Sequence, residues 1–147
     1  MKNENIAVQL NKQIANWSLL YMKLHHHHWH VKGPDFFTLH EKFEELYHEA
    51  AEHMDSLAER LLAIGGHPAA TLREHLQLAT VKEAVSVADA VAMVQETAED
   101  FKLLIRELKQ ARAVCAEEED EVTADLLLAI QASLEKHVWM LSAFLNK

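Results

Sequence analysis

The chain has 147 residues, half of them apolar, which suits a single domain with a full hydrophobic core. Its formal net charge of −9 repels nucleic acid and anionic membranes and attracts cations. The single cysteine, Cys115, excludes an intrachain disulfide and fits a reducing compartment. No apolar run approaches the roughly 20 residues that cross a bilayer, and the N-terminus lacks a signal-peptide pattern. We therefore expect one cytoplasmic domain over residues 1–147, with no membrane partner.

The first predicted element is a long amphipathic helix. Apolar side chains recur every three or four residues from Leu10 to Val31, the spacing of one helix face. His28 occupies one position of this apolar stripe. Gly33-Pro34 ends the helix, because Gly supplies a C-terminal cap and Pro cannot continue the hydrogen-bond ladder.

A second amphipathic helix follows at once. Asp35 is its expected N-cap, and its apolar stripe runs from Phe36 to Ile64. Gly65-Gly66 stops it. Because the connection between the two helices is short, they are predicted to form an antiparallel hairpin.

The stretch 67–86 is less regular and is interpreted as a long crossover. Within it, a short helix is expected from Thr71 to Leu78. Thr71 and Glu74 have the spacing of a capping box, which begins such a helix.

Two more helices complete the predicted fold. The third runs from about Val87 to Val114, with an inward-facing stripe that starts at Val91. An acidic bend, Glu117 to Glu121, leads into the fourth, whose inward-facing stripe starts at Val122. Four long helices with one crossover, which carries a short extra helix, predict an all-α ferritin-like bundle.

Four side chains of metal-binding type stand out on the first two helices: His28, His40, Asp55 and Glu59. A histidine in an apolar stripe is costly unless it is paired, so His28 is either a satisfied core histidine or a ligand. His28 and His40 are about equally far from the hinge, and the hairpin brings them level. The alternative for the polar residues of the second helix is a solvated face.

The carboxylates cannot reach these histidines within one chain. Asp55 lies about 22 Å beyond His40 along the helix, and Glu59 about 28 Å, at 1.5 Å per residue. Asp55 and Glu59 are one turn apart and can hold one ion together. A two-fold axis near His48 would set them opposite His28 and His40 of a second copy, giving two equivalent shared metal sites.

A di-iron site inside one bundle is disfavoured. Such a site needs a Glu-x-x-His motif on each of two helices and two further glutamates. Glu45-Leu-Tyr-His48 is the only match in the chain, and chance explains a single match.

The chain resembles the Dps family, the miniferritins, over almost its whole length. The resemblance rests on the spacing of five segments: His28-Trp29 with Gly33-Pro34, Phe37 to Lys42, Asp55 to Leu61, Ala63 to Gly66, and Lys136 to Met140.

The resemblance implies a hollow homododecamer of four-helix subunits that oxidises Fe(II), preferably with hydrogen peroxide, and stores ferric mineral. It implies a two-iron site in which His28 and His40 come from one subunit and Asp55 and Glu59 from its two-fold mate. Glu44 corresponds to an acidic residue that supports a second, weaker iron.

Other positions are interpreted with open alternatives. The resemblance implies that Trp29 absorbs stray oxidising equivalents, whereas core packing is the alternative for Trp29 and Trp139. It also implies an acidic iron-entry pore, although the helix dipole alone favours acids at the start of a helix. The pore residues are Glu117, Glu121 and Asp125. Residues assigned either to mineral nucleation or to a solvated face are Glu45, Glu49 and Glu52.

A histidine run departs from the family pattern. It comprises His25, His26, His27, His28 and His30, and only His28 matches a family ligand. We expect most of the others to be solvated. His26 and His30, four residues apart, could chelate Zn(II) or Ni(II) if they are exposed.

Two competing functions remain open at this stage. The alternative within the family is a DNA-condensing structural protein with little iron role. Such members often carry a Lys/Arg-rich tail, whereas only Lys2 and Lys12 lie near the N-terminus here, and the net charge of −9 opposes phosphate binding. Direct DNA binding is therefore not expected. A plain helical bundle without iron is the third interpretation.

Overall fold

The computed structural model describes residues 3–85 and 89–147. Within these ranges it has five helices: α1 (Glu4–His30), α2 (Phe36–Ala63), α3 (Leu72–Leu78), α4 (Ala90–Glu117) and α5 (Glu121–Phe144). α1 packs along α2 and α4 along α5, while α3 lies in the crossover against α1. The predicted ferritin-like bundle with a short extra helix is therefore confirmed. In the described part of the chain, no helix meets the length and hydropathy needed to cross a bilayer.

The core lies along the axis of the bundle. Its largest fully buried side chains are Trp17 of α1, Phe43 of α2 and Phe101 of α4. α5 adds Leu127 and Ile130 to the same cluster. The apolar faces of the four long helices thus pack against one another. This packing removes them from water and stabilises the bundle.

The hinge between α1 and α2 depends on Gly33. Its φ of 109° lies in the left-handed region that favours glycine, and its carbonyl accepts a hydrogen bond from Phe36 N at 3.1 Å. Asp35 stands at the N-cap position, but its side chain makes no capping hydrogen bond. Asp35 is thus the N-cap residue as predicted, but it does not cap the helix through its side chain. At α3 the predicted Thr71 cap is confirmed, because Glu74 N donates to Thr71 Oγ1 at 3.2 Å. The Glu74 side chain pairs with the Thr71 hydroxyl at 2.9 Å and not with the Thr71 backbone N–H of a full capping box.

The ends of α4 and α5 differ from the prediction. The expected start at Val87 lies outside the described residues, and α4 continues past Val114 to Glu117. The bend is confined to residues 118–120. Val91 and Val122 were predicted to face inward but are 50% and 63% exposed. Each lies in the first turn of its helix, where no preceding turn covers it.

A buried polar network fixes the crossover to the bundle. Asn16 Oδ1 accepts from Thr80 N at 2.8 Å and from Val81 N at 3.1 Å. Asn16 Nδ2 donates to Glu107 Oε1 at 2.9 Å. Glu107, only 7% exposed, also accepts from Gln13 Nε2 and from Thr80 Oγ1. The part of the crossover that follows α3 is thereby held against α1 and α4.

Candidate metal centre

His28 and His40 meet at the hinge end of the α1–α2 hairpin. Their rings are stacked, with centroids 3.7 Å apart and planes 13° from parallel. His28 is 7% exposed, because it occupies the apolar face of α1. The predicted juxtaposition of the two imidazoles is confirmed by this geometry.

Reciprocal hydrogen bonds fix the orientation of both rings. Nδ1 of His28 lies 2.7 Å from the carbonyl oxygen of His40, and Nδ1 of His40 lies 2.8 Å from that of His28. A carbonyl oxygen only accepts, so each Nδ1 carries the hydrogen. In a neutral ring the lone pair is then on Nε2. This is how second-shell bonds prepare histidine for metal ligation.

Two aromatic side chains flank the pair, and neither was singled out from the sequence. Phe36 stacks on His40 with ring centroids 4.9 Å apart. Tyr47 meets His28 edge to face at 5.3 Å and stacks on His25 at 3.6 Å. These contacts limit rotation of the imidazoles.

Glu44 lies next to the histidine pair. Its Oε1 is 3.9 Å from Nε2 of His28, and half of its side chain is exposed. It can therefore turn toward an ion at that nitrogen. Even so, the described residues of one chain contain no group of three or more His, Cys, Asp or Glu side chains placed to hold a metal ion. The centre is incomplete in a single chain.

Asp55 and Glu59 form a separate carboxylate pair near the other end of α2. Both side chains are exposed. The pKa of Glu59 is raised, chiefly by a hydrogen bond shared with Asp55, then by its negative charge and by slight desolvation. This interaction shows that the two carboxyl groups lie next to each other. Since α2 is continuous, they remain about 22–28 Å from His40 along the axis.

The remaining predicted positions lie on the surface. Trp29 and Trp139 are 61% and 68% exposed, so the core-packing interpretation was wrong for both. Glu117 ends α4, and Glu121 and Asp125 follow on the first turns of α5; all three are exposed.

A hydrogen-bonded cluster around one carboxylate, between α2 and α5, was missed by the sequence analysis. Glu49 of α2 accepts hydrogen bonds from His137 Nε2 at 2.5 Å, from His53 Nε2 at 3.1 Å and from Ser133 Oγ. Its side chain is only 21% exposed, which excludes both a solvated face and a free nucleation site. The only signals in sequence were two i,i+4 pairs, Glu49/His53 and Ser133/His137.

The histidine run was also only partly anticipated. Most of the run was expected to be solvated, whereas His27 is 1% exposed. Desolvation lowers its pKa from 6.5 to about 4, against the opposing charge of Glu96. Neither ring nitrogen has a hydrogen-bond partner among the described residues.

Comparisons with known proteins agree with this architecture. The ferritin family model, described as a ferritin-like domain, matches residues 7–147. A curated "DNA protection during starvation protein" from Brevibacillus brevis is 60% identical over 141 residues, covering 96% of this chain and 95% of the relative. The crystal structure of a Dps protein from Bacillus brevis gives a TM-score of 0.94 at 60% identity and covers 95% of this chain and 94% of that one. Dps from Listeria innocua, soaked with zinc, gives 0.94 at 44% identity and covers 97% of each chain.

Proposed function

The chain belongs to the Dps family of ferritin-like proteins, and from this premise we propose that it is an iron-storing ferroxidase. It oxidises Fe(II) to Fe(III), preferably with hydrogen peroxide, and retains the ferric product as mineral inside a hollow homo-oligomer. The observation that carries this proposal is the pair of Nε2 lone pairs on His28 and His40, which the reciprocal Nδ1 bonds leave available.

Each ferroxidase centre is shared by two copies of the chain. In a two-fold pair with the axis near His48, the α2 helices run antiparallel. Asp55 and Glu59 of one copy then face His28 and His40 of the other. Because the interface is symmetric, two equivalent centres form. The incomplete ligand set of the single chain supports this arrangement.

The donor set suits the oxidation of ferrous ion. Imidazole nitrogens bind Fe(II), and carboxylates bind both Fe(II) and Fe(III). Two Fe(II) ions each give one electron to one hydrogen peroxide molecule, which takes up two protons and becomes two water molecules. No hydroxyl radical is released in this two-electron step. Asp55 and Glu59 repel each other as carboxylates, and a cation bound between them would relieve that repulsion.

Further roles are proposed for the surface residues. Glu44 supports a second, weaker iron beside His28. Trp29 takes up stray oxidising equivalents near the centre, and its exposed ring lies 5.1 Å from that of His25. Glu117, Glu121 and Asp125 line an acidic entry pore for Fe(II). The assembly is a dodecamer that works in the cytoplasm.

DNA protection through direct binding is the second candidate function, because the B. brevis relative carries that name. A net charge of −9 disfavours contact with phosphates, since few cationic side chains are available to release counterions. We therefore propose that DNA is protected by removal of ferrous ion and peroxide.

Mixed assemblies test the sharing of the centre. His28→Ala and Asp55→Ala chains are each assembled alone and then together, and the ferric absorbance is followed after adding Fe(II) and peroxide. Each variant alone has no intact centre. In a mixed pair, the Asp55→Ala chain supplies both histidines and the His28→Ala chain supplies both carboxylates, so one centre of two is restored.

Recovered oxidation in the mixture is the expected result. Mixtures no faster than the separate variants would contradict sharing. If both variants alone oxidise iron as fast as the parent, the site assignment is wrong. His67→Ala, a change at an exposed histidine beyond α2, is the matched control and should leave the rate unchanged.

A further inference from the structure

A second imidazole pair lies on the side of α1 that faces away from the proposed iron centre. His26 and His30 are one turn apart, with ring centroids 4.7 Å apart and planes at 56°. His28 is two residues from each and therefore points about 200° around the helix from both. The two pairs belong to different faces of α1.

His26 and His30 line a groove between α1 and the crossover. The groove has a volume of about 420 Å³, and its wall includes Trp29, Leu76 of α3 and Glu83. His75 also lines it, but both of its ring nitrogens are engaged, with Ser18 Oγ at 2.8 Å and the Ala69 carbonyl at 2.7 Å. His75 is therefore part of the wall and is not a free donor.

His26, which lines the groove, carries an unpaired ring nitrogen, Nε2. This nitrogen is shielded from solvent and has no hydrogen-bond partner in the described part of the chain. A shielded polar atom without a partner is unfavourable, and such atoms are normally satisfied by a ligand, water or ion. Lys23 also lines the groove, but its Nζ is held by Glu96, Asp100 and the Lys82 carbonyl.

We propose that His26 and His30 bind a divalent ion of the class that prefers imidazole, namely Cu²⁺, Ni²⁺ or Zn²⁺. Two imidazoles on one ion, each with its nitrogen about 2.0–2.1 Å from the metal, have ring centres about 5 Å apart. The observed separation of 4.7 Å needs little adjustment. Solvent completes the coordination, because no third His, Cys, Asp or Glu side chain among the described residues is placed to join the pair.

The expected selectivity follows from the ligands. A site with two nitrogen donors binds Cu²⁺ more tightly than Ni²⁺ or Zn²⁺, and Fe²⁺ more weakly than any of these. The chain would therefore hold two classes of metal on opposite faces of one helix. This inference does not depend on the ferroxidase activity.

Copper titration of the full-length, metal-free protein tests the proposal. The His28→Ala/His40→Ala variant serves as background, because it removes the other imidazole pair. In this background we expect one Cu²⁺ per chain by calorimetry, with two nitrogen couplings in its electron paramagnetic resonance spectrum. Since loss of a second-shell partner alone costs about 10–100-fold in metal affinity, His26→Asn or His30→Asn should each weaken binding at least about tenfold.

His67→Asn is the matched control, because it removes an exposed imidazole elsewhere and should leave the affinity unchanged. Circular dichroism of each variant verifies that the helices are retained. Two results overturn the proposal. One is a background variant that binds no copper, and the other is a His26→Asn/His30→Asn protein that binds copper as tightly as its background.

Discussion

His28 and His40 each donate a hydrogen bond from Nδ1 to the backbone carbonyl of the other, across the hinge between α1 and α2. The two hydrogen bonds form a closed ring, because each side chain is bonded to the main chain of the other residue. Each imidazole is held in position by the backbone carbonyl of the other residue, and both Nε2 atoms are left for an ion. The same two bonds stabilise the hairpin and orient both imidazoles.

Replacing one histidine should separate these two roles. His40→Ala keeps the carbonyl that accepts from His28, so His28 remains oriented. We expect the initial rate of Fe(II) oxidation with peroxide to fall about tenfold or more, because even outer-shell changes at metal sites cost 10–100-fold. Helicity measured by circular dichroism should be unchanged. An unaltered rate would remove His40 from the centre.

Replacing His27 with an apolar residue should stabilise the fold. His27 is 1% exposed, and both of its ring nitrogens lack hydrogen-bond partners among the described residues. The centroids of its ring and that of Phe43 are 5.2 Å apart. His27→Phe replaces unpaired polar atoms with carbon, and unfolding in urea at pH 7 should show a gain of about 1–3 kcal/mol. His30→Phe, at an exposed position of the same helix, should gain little. Protein concentration must be held fixed, because assembly shifts apparent stability. A loss of stability in His27→Phe would contradict the prediction.

Glu49 should make stability depend on pH in acid. Burial alone would raise its pKa, but hydrogen bonds from His137, His53 and Ser133, together with the charge of His137, hold the pKa well below 4.5. The unfolded chain therefore binds more protons than the folded one below about pH 4.5, and stability falls as the pH drops. The stabilisation is fully present at neutral pH.

Glu49→Gln measures this contribution. At pH 7 it should lower the free energy of unfolding by about 1.5–3 kcal/mol, the range for hydrogen bonds to a charged group. Its stability should then change less than that of the parent between pH 5 and pH 3, as followed by urea unfolding at each pH. Glu52→Gln, at an exposed position of α2, is the control. Equal acid sensitivity in Glu49→Gln and the parent would show that another group is responsible.

Asn16 should control the order of the crossover. Asn16→Ala removes the acceptor for Thr80 N and Val81 N and one donor to the buried Glu107 carboxylate. We expect a loss of about 2–4 kcal/mol in unfolding free energy, because buried partners are left unpaired. Hydrogen exchange should accelerate at the amides of residues 80 and 81, while amides in the middle of α2 serve as the internal reference. Unchanged exchange at residues 80 and 81 would contradict this role.

DNA should not be retained by the protein. In a gel shift at low salt without added divalent ions, the charge of −9 per chain predicts free migration of the DNA. Tight retention under these conditions would favour the DNA-condensing function instead. Removing divalent ions matters, because they can bridge acidic side chains and phosphates.

Much of the architecture could be predicted because it follows from local signals. Gly33-Pro34 marks the hinge, and the positions of His28 and His40 on either side of it made their meeting foreseeable. Their geometry is confirmed, whereas their role as iron ligands stays a prediction. The separation of Asp55 and Glu59 from them likewise followed from the rise of one uninterrupted helix.

The predictions that failed concern side chains whose partners are distant from them in the sequence. Glu49 was assigned to a surface, yet its partners Ser133 and His137 lie 84 and 88 residues away. No helical period in α2 or α5 reveals which of their polar residues will meet. Most of the histidine run was expected in solvent, although the face of α1 on which His27 lies is closed by Phe43.

The unbroken length of α2 has a consequence for the proposed pair of centres. Since no glycine or proline interrupts Phe36–Ala63, the helix acts as a rigid spacer between its imidazole end and its carboxylate end. In an antiparallel pair, that span also sets how far apart the two reaction centres lie. Each centre must then collect its own two ferrous ions, and inserting a single helical turn in the middle of α2 would misalign both centres at once.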